Sequence, residues 1–483
     1  MEITIILVFT AFALIFVFIL PRAWRKWALL AGSVLAIYWM QPSTPIRNFD
    51  FWFPTASIAL TVFVWVVTRQ PSEVSHRRTI IAAAFLSGVV LLIGLTRYID
   101  LLCCLTPTRP PDIQRIILII GLVAAAGLIP YFALPKNRFL TTFTILIILV
   151  LFIILKTDTL ARSTSAFLRS RSGQSLELAS ILDLPWLGFS FLAFRLLHVL
   201  RDHQAGKLPV YSLADFTIYA IFFPAYTAGP IDRSEHFIWN LNEVTETPGE
   251  GIDSPLNPAN RFIGGKRILI GVFKKFVIAD GLALFALSGQ NALQVEEAVW
   301  AWVLLYAYSL RIFFDFSGYT DIALGFGMLM GFKLPENFDQ PYRKINLTSF
   351  WNSWHITLAQ WFRAYYFNPV TRFLRTKWTK LPGWGIIFIG QFTTMLLIGL
   401  WHGITWNFAI WGAWHGLGLF INNRWSGWIR PHIDNHSYPA GLKTTLKFSG
   451  WVLTFNFVSL GWVWFALPTP QIAVQFFEQL LNI

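Results

Sequence analysis

Runs of apolar residues about as long as a bilayer is thick recur along the whole chain. A membrane-spanning helix needs about 20 predominantly apolar residues, because each residue advances an α-helix by only about 1.5 Å. The clearest runs are Met1–Leu20, Phe51–Thr68, Thr79–Leu95, Ile116–Leu134, Leu140–Leu155, Ile181–Leu200, Leu213–Ala228, Ile268–Leu287, Ala298–Phe314, Ile386–Leu400 and Phe448–Phe465, with shorter ones at Trp27–Met40, Gly318–Met330 and Trp406–Ile421. Only 13% of the residues are charged, against about 25% in a soluble domain.

The pattern predicts an all-α, polytopic integral membrane protein with about 11–14 membrane segments. Re-entrant or interfacial helices around a central cavity are part of this prediction, because some of the shorter runs also carry polar residues. Met1–Leu20 lacks a basic region at its start, so we expect a retained helix rather than a cleaved signal peptide.

Basic residues concentrate in short loops between the apolar runs, notably Pro21–Lys26, Arg69–Arg78 and Thr371–Lys380. Short basic loops stay on the cytoplasmic side of a membrane. The sequence therefore predicts that these three loops are cytoplasmic and that the N-terminus is extracytoplasmic, although the Arg162–Arg171 loop does not fit this pattern. The formal net charge of +13 is thus explained by topology, and we expect a lipid membrane rather than nucleic acid as partner.

Cysteine and motif content exclude several kinds of site. The only cysteines, Cys103 and Cys104, are adjacent, and neither a disulfide framework nor a metal site follows from that spacing. The sequence contains no Gly-x-Ser-x-Gly and no His-Glu-x-x-His motif, so a serine nucleophile elbow and a zinc-protease site are not predicted. We expect no bound metal.

The segment from Arg311 to Gly416 carries the chemistry-bearing residues of the chain. It places three histidines, His355, His402 and His415, among apolar and aromatic residues. Ionisable side chains at membrane depth are energetically costly and usually functional. His402 and His415 each stand in a Trp-His-Gly triplet, and the glycines around His402 predict a break in the helix there.

Residues Leu347–Phe367 form a segment of a different kind. Aromatic and apolar residues recur there at helical spacing, and Thr348 is a candidate helix cap. Polar residues are interspersed: Asn352, His355, Gln360 and Arg363. The pattern predicts an amphipathic helix that lies in the interface or re-enters a cavity, with His355 facing the protein interior.

Four motifs in this region together resemble the membrane-bound O-acyltransferase family. They are Phe314-Asp-Phe-Ser-Gly-Tyr-Thr-Asp-Ile-Ala323, Glu336-Asn-Phe338, Phe350-Trp-Asn-Ser-Trp-His355 and Gly399-Leu-Trp-His-Gly403. The resemblance covers roughly Leu184 to Asn423 and is greatest to the bacterial branch that acetylates alginate or transfers D-alanine to teichoic acid. Asn352 and Ser353 stand where the family usually has two arginines.

The resemblance implies roles for particular residues. His402 matches the catalytic histidine and His355 the second family histidine. Residues expected to contact substrate are Trp401, Trp354, Asp321, Asn337, Arg363 and His415. Arg372, Arg375 and Lys377 are expected to receive the phosphates of the donor. Structural roles remain open for several of them: His415 as a packing residue, and Asp315 and Asp321 as partners of Arg311 or of tyrosine hydroxyls.

The sequence thus predicts a bacterial cytoplasmic-membrane acyltransferase with three regions: divergent helices at 1–175, an acyltransferase core at 176–425 and C-terminal helices at 426–483. It would move a small acyl group, acetyl first of all, from cytoplasmic acyl-CoA to a cell-surface polysaccharide or to an extracytoplasmic acetyltransferase partner. One alternative is D-alanyl transfer from a phosphopantetheine carrier protein. Another is a transporter or flippase whose histidines relay protons.

Overall fold

A computed structural model describes residues 2–69, 75–99, 105–133, 138–246, 257–434 and 439–482. Within these ranges the chain is helical, and an isolated antiparallel bridge between Phe338 and Trp354 is the strand-like contact recorded there. The predicted all-α class is confirmed. Cys103 and Cys104, on which the prediction of no disulfide framework rests, lie outside the described residues.

Twenty α-helices follow one another in the described part of the chain. The first ten are α1 (Ile3–Phe18), α2 (Arg22–Met40), α3 (Phe49–Thr68), α4 (His76–Leu95), α5 (Ile113–Ala133), α6 (Arg138–Lys156), α7 (Asp158–Arg171), α8 (Phe189–Gln204), α9 (Leu213–Ile221) and α10 (Ser234–Thr245). The others are α11 (Pro258–Val272), α12 (Asp280–Ala283), α13 (Ala298–Met330), α14 (Leu347–Trp351), α15 (Ile356–Phe362), α16 (Asn368–Lys377), α17 (Gly383–His402), α18 (Trp406–Asp434), α19 (Ala440–Ala466) and α20 (Pro470–Leu481).

Six helical segments of the described chain are both long and apolar enough to cross a bilayer. They are Phe49–Thr68, His76–Tyr98, Arg138–Lys156, Ala298–Met330, Gly383–His402 and Gly441–Ala466. Their outward side chains include large apolar residues such as Leu92, Leu146 and Leu453, which only a lipid environment accommodates at this density. The protein is therefore a multi-pass membrane protein, and the higher count of 11–14 segments stays a prediction.

The chain forms two compact units. The first unit comprises Met1–Ile268 and Ile322–Pro335, and the second comprises Leu269–Asp321 and Glu336–Ile483. The predicted regional boundaries at 175 and 425 rest on motif content and stay a prediction.

The core of the first unit is built around α9, all of whose residues are buried. Rings on and after this helix stack on those of α10 and the segment after α13: Tyr219, Phe222, Phe237 and Phe332. Arg195 of α8 is also buried and donates hydrogen bonds to the carbonyl oxygens of Ala220 and Ala225. Because the last carbonyls of a helix lack partners within it, this guanidinium satisfies the buried end of α9.

In the second unit, α17 and α18 pack so closely that their contact is lined by glycines. A Cβ atom on Gly399 would lie 2.2 Å from the carbonyl oxygen of Phe408, and one on Gly412 would lie 2.6 Å from that of Met395. The two backbones therefore touch, which only residues without a side chain permit. The second unit also contains an apolar core between α13, α19 and α20, which includes Leu305, Val463 and Phe476.

Gly399→Ala is expected to lower the Tm of the purified protein by several degrees. Overpacking of a close contact typically costs about 1–3 kcal/mol, and here the obstacle is backbone rather than a mobile side chain. The matched control is Gly427→Ala on α18, where an added Cβ meets nothing within 4 Å, and alanine there favours the helix. Thermal unfolding in detergent measures both, and equal Tm values for the two variants would contradict the close α17–α18 contact.

Five of the predicted apolar runs differ from the structure. The runs at Ala298–Phe314 and Gly318–Met330 form one helix, α13. The run at Ile268–Leu287 is divided between α11, a π-helical stretch at Phe273–Ala279 and the short α12. In the run at Ile181–Leu200, α8 begins only at Phe189. The run at Leu213–Ala228 is helical as α9 only to Ile221, before a 3-10 turn at Phe223–Ala225. Each of these helix interruptions lies close to a glycine, a proline or a partly buried charged residue.

Candidate active site

The segment predicted as one amphipathic helix, Leu347–Phe367, is interrupted at its histidine. Helix α14 ends at Trp351, α15 begins at Ile356, and His355 between them has a left-handed backbone with φ of 45°. The predicted cap, Thr348, is wrong, because the Asn346 side chain accepts the hydrogen bond from the amide of Ser349. A left-handed conformation costs a non-glycine residue roughly 1–3 kcal/mol and persists where surrounding contacts hold it.

Asn337 supplies those contacts. Its backbone oxygen accepts from the amide of Ile356 at 3.0 Å. Its side-chain oxygen accepts from the amide of Thr357 at 3.2 Å and from the Thr357 hydroxyl at 2.7 Å. Because Asn337 is fully buried, these bonds fix the start of α15, and with it the position of His355. Asn337 is thus a positioning residue.

His402 is the last residue of α17, and the predicted helix break after it is confirmed. Gly403 is extended, and α18 starts at Trp406. The imidazole packs against the rings of Trp401, Phe408, Trp411 and Phe465 at centroid distances of 4.5, 5.9, 5.6 and 4.8 Å. These rings restrict its orientation while leaving His402 partly exposed.

Trp401 contacts both family histidines. Its ring is 4.5 Å from that of His402 and 6.1 Å from that of His355, centroid to centroid. The other side of His355 meets Phe316 of α13 at 4.8 Å. The structure therefore brings His355, Trp401 and His402 together within one aromatic cluster of the second unit.

Burial sets the protonation state of His355. Only 4% of this residue is exposed, and neither α14 nor α15 is a candidate membrane span. Burial disfavours the imidazolium and lowers the pKa of His355 to about 3. The ring is therefore neutral across the physiological pH range, with one nitrogen able to donate and the other able to accept a proton.

His415 occupies a closed part of the same cluster. It is fully buried, and its ring lies 5.0 Å from those of Trp351 and Trp411. A Cβ on Gly461 would lie 2.7 Å from its Nε2 atom. Neither ring nitrogen has a hydrogen-bond partner among the described residues. Trp411 contacts both His415 and His402, so the two histidines are connected through its ring.

Trp354 joins the cluster through α19. Its ring stacks on Phe350 and lies 5.2 Å from that of Trp462, which in turn lies 5.8 Å from Trp411. Sequence reasoning missed Trp462 and Phe465, because α19 had no assigned motif. The one sequence signal for these two residues is their spacing of three beside Gly461. This spacing places two large rings on one face of a helix, next to a small residue.

The aspartates of α13 have lysine partners. Asp321 accepts a hydrogen bond from the Lys274 ammonium at 2.6 Å, and Asp315 pairs with Lys275. The suggested pairing with Arg311 is wrong, because the partners of both aspartates are lysines. These lysines belong to the π-helical stretch Phe273–Ala279. Partly buried charges need such partners.

A cavity of about 320 Å³ opens beside the cluster, among α14, α15, α17 and α18. Trp351 lines it and also touches His415. Polar lining comes from Asn352, Gln391 and Arg363, and the Arg363 guanidinium donates to the Asn352 side chain at 2.7 Å. Arg363 is exposed, as are Arg372, Arg375 and Lys377. The last three lie on α16, whose Thr371 and Leu374 face inward.

The fold is that of a multi-pass membrane protein, and the cluster brings two of its histidines into contact with the same tryptophan. A sequence model of the membrane-bound O-acyltransferase family matches residues 134–460, and the chain belongs to that family. It is an acyltransferase. The matching part includes both family histidines and, apart from Phe465, the rings that pack on them.

Curated relatives fall into acetyl-transferring and D-alanyl-transferring groups. A probable alginate O-acetylase of Pseudomonas aeruginosa is 34% identical over 322 residues, which is 66% of this chain and 56% of that protein. A peptidoglycan O-acetyltransferase of Helicobacter pylori is 30% identical over 78% of this chain and 66% of that protein. A teichoic acid D-alanyltransferase of Streptococcus thermophilus is 32% identical over 59% of this chain and 68% of that protein. The matches thus span between about half and two thirds of the relatives' lengths.

Proposed function

We propose that this membrane O-acyltransferase moves an acetyl group from a cytoplasmic thioester donor to a hydroxyl on the extracytoplasmic side of a bacterial cytoplasmic membrane. The acceptor is a cell-surface polysaccharide or a partner protein that passes the group on. The observation that carries the proposal is the ring contact that Trp401 makes with both His355 and His402. The alginate and peptidoglycan relatives support acetyl over D-alanyl, since they match 66% and 78% of this chain, against 59% for the D-alanyl relative.

The proposed chemistry requires one general base. The neutral imidazole of His402 takes the proton of the acceptor hydroxyl as its oxygen attacks the thioester carbonyl. The tetrahedral intermediate then collapses, the carbon–sulfur bond breaks, and the imidazolium returns the proton to the departing thiolate. His402 ends α17, and the negative end of a helix dipole favours the positive charge that forms on the ring.

His355 has a supporting part in this proposal. Its neutral ring provides one N–H donor, which suits a hydrogen bond to the carbonyl oxygen as negative charge develops there. Asn337 holds the amides of the first two residues of α15, so the donor is fixed before substrate arrives. Trp401 and the rings around His402 limit the access of water to the reacting atoms.

The exposed basic face of α16 suits the phosphates of coenzyme A or of a phosphopantetheine carrier. Arg372, Arg375 and Lys377 are exposed and have no ion pair with a carboxylate in the described part of the chain. Arginine binds phosphate oxygens through two parallel hydrogen bonds. The proposed donor therefore approaches from the side of α16, which the positive-inside rule assigns to the cytoplasm.

Cysteine labelling tests this orientation. In a background where Cys103 and Cys104 are replaced by serine, Thr376→Cys on α16 is expected to resist a membrane-impermeant maleimide in intact cells and to react after permeabilisation. Glu2→Cys, at the N-terminus, is expected to react in intact cells. Free labelling at position 376 before permeabilisation would contradict the assignment of α16 to the cytoplasm.

The donor is tested with protein in proteoliposomes whose α16 side faces the added donor. Acetyl-CoA labelled in the acetyl group is expected to yield labelled ester on alginate or peptidoglycan fragments enclosed on the other side. The control donor is a D-alanyl carrier protein. Ester formation from the carrier alone would assign the chain to D-alanyl transfer, and formation from neither donor would reject the proposal.

A further inference from the structure

A second cavity lies in the first unit, far along the chain from the catalytic motifs. Its volume is about 370 Å³, and it is an open cleft between α3, α4 and α5. Leu213 of α9 also lines it. None of the predicted site residues lines it. Its walls are almost entirely apolar, as Ile58, Ala83, Leu86 and Val123 illustrate.

The cleft has the length of one leaflet of a bilayer. Its lining on α4 runs from His76 to Val90, which corresponds to about 21 Å at 1.5 Å per residue. One leaflet of a bilayer, with its headgroup region, is about 20–22 Å thick. Because α3 and α4 are candidate spans, the cleft runs into the bilayer from the His76 end of α4, at the membrane surface, along about three quarters of that helix.

The polar end of the cleft is basic. Nδ1 of His76 lies 2.5 Å from the Tyr131 hydroxyl oxygen, with which it shares a hydrogen bond, and the Arg69 guanidinium lies 3.5 Å from the centre of the Tyr131 ring. Arg69 also donates to the Tyr131 carbonyl oxygen, but its Nε atom is buried with no hydrogen-bond partner in the described part of the chain. Arg77 and Arg78 follow His76 at the start of α4.

No described carboxylate neutralises this end. Arg69, Arg77 and Arg78 have no ion pair with any described acid. A buried guanidinium nitrogen without a partner is costly unless an anion reaches it. An apolar cleft of one-leaflet length whose basic end has no ion pair with the described acids matches a molecule with a hydrocarbon chain and an anionic head.

We propose that the cleft holds one acyl chain of an anionic phospholipid, with the lipid phosphate at Arg69 and His76. The acyl chain replaces bulk lipid against α3, α4 and α5. The lipid phosphate supplies the hydrogen-bond acceptor that Arg69 Nε lacks among the described residues. Phospholipid is the commonest bilayer molecule with both parts, and a phosphate accepts bidentate arginine hydrogen bonds. The site is independent of acyl transfer.

Lipid retention by the full-length protein tests this site. After detergent exchange, native mass spectrometry is used to compare added phosphatidylglycerol, phosphatidylcholine and oleate. Wild type is expected to retain one phosphatidylglycerol in preference to the other two. Arg69→Gln is expected to reduce that preference by about fivefold, the effect of one basic residue near an anionic lipid surface. Arg115→Gln, at the opposite end of α5, is expected to leave it unchanged.

A matched pair on α4 tests the cleft itself. Ala83 lines it, whereas Ala84 is exposed beside it without lining it. Ala83→Trp is expected to abolish retention and Ala84→Trp to preserve it. Ser87→Phe, which also fills the cleft, replaces Ala83→Trp if that variant fails to fold. Equal retention in the filled and control variants, or equal retention of phosphatidylcholine or oleate in wild type, would overturn the proposal.

Discussion

His402→Ala is expected to lower the rate of acyl transfer by about 10²–10⁴-fold, the usual effect of removing a positioned general base. The loss should appear in kcat, because the base acts on the proton that moves in the transition state. The variant should still insert and fold, since His402 is the last residue of α17 and only part of its side chain is buried.

Acyl transfer by purified variants, with size-exclusion profile and Tm as measures of folding, checks this expectation. The matched control is His203→Ala, at the end of α8 and outside the ring cluster. It should transfer at the wild-type rate. A folded His402→Ala protein that transfers acyl groups as fast as wild type would remove His402 from the mechanism.

The sequence predicted the class of fold because its signal is local. A run such as Thr79–Leu95 is apolar over the length of a bilayer, and α4 forms there whatever its neighbours are. The break at His355 has no such signal. It depends on the bridge between Phe338 and Trp354 and on Asn337, which are tertiary contacts that override a helical pattern.

The residues of the candidate site also divide into those that a local sequence pattern identifies and those that it does not. His355, His402 and their neighbouring tryptophans lie in short motifs, so their types and spacing were sufficient to select them. Phe465, which packs on His402, is about 60 residues further along the chain, and no local pattern connects the two. The partner of Asp321 was missed for the same reason, because Lys274 lies 47 residues before it.

His355→Ala is expected to lower kcat by about 10²–10³-fold, the effect of losing one donor to a developing oxyanion. Asn337→Ala should cause a smaller loss, because it loosens the start of α15 without removing the ring. Asn346→Ala is the matched control: it removes an amide that caps α14, in the same region but before the break.

Two further measurements separate a supporting His355 from a second base. The pKa of His355 is lowered to about 3, so the ring does not change charge between pH 5 and 8, and the acid limb of the pH–rate profile should be unchanged in His355→Ala. In addition, His355→Ala/His402→Ala should be little slower than His402→Ala alone, because groups that act as a unit are not additive. A lost acid limb in His355→Ala, or a multiplicative loss in the double variant, would show that His355 titrates or acts independently, and the assignment of the base to His402 would then have to be revised.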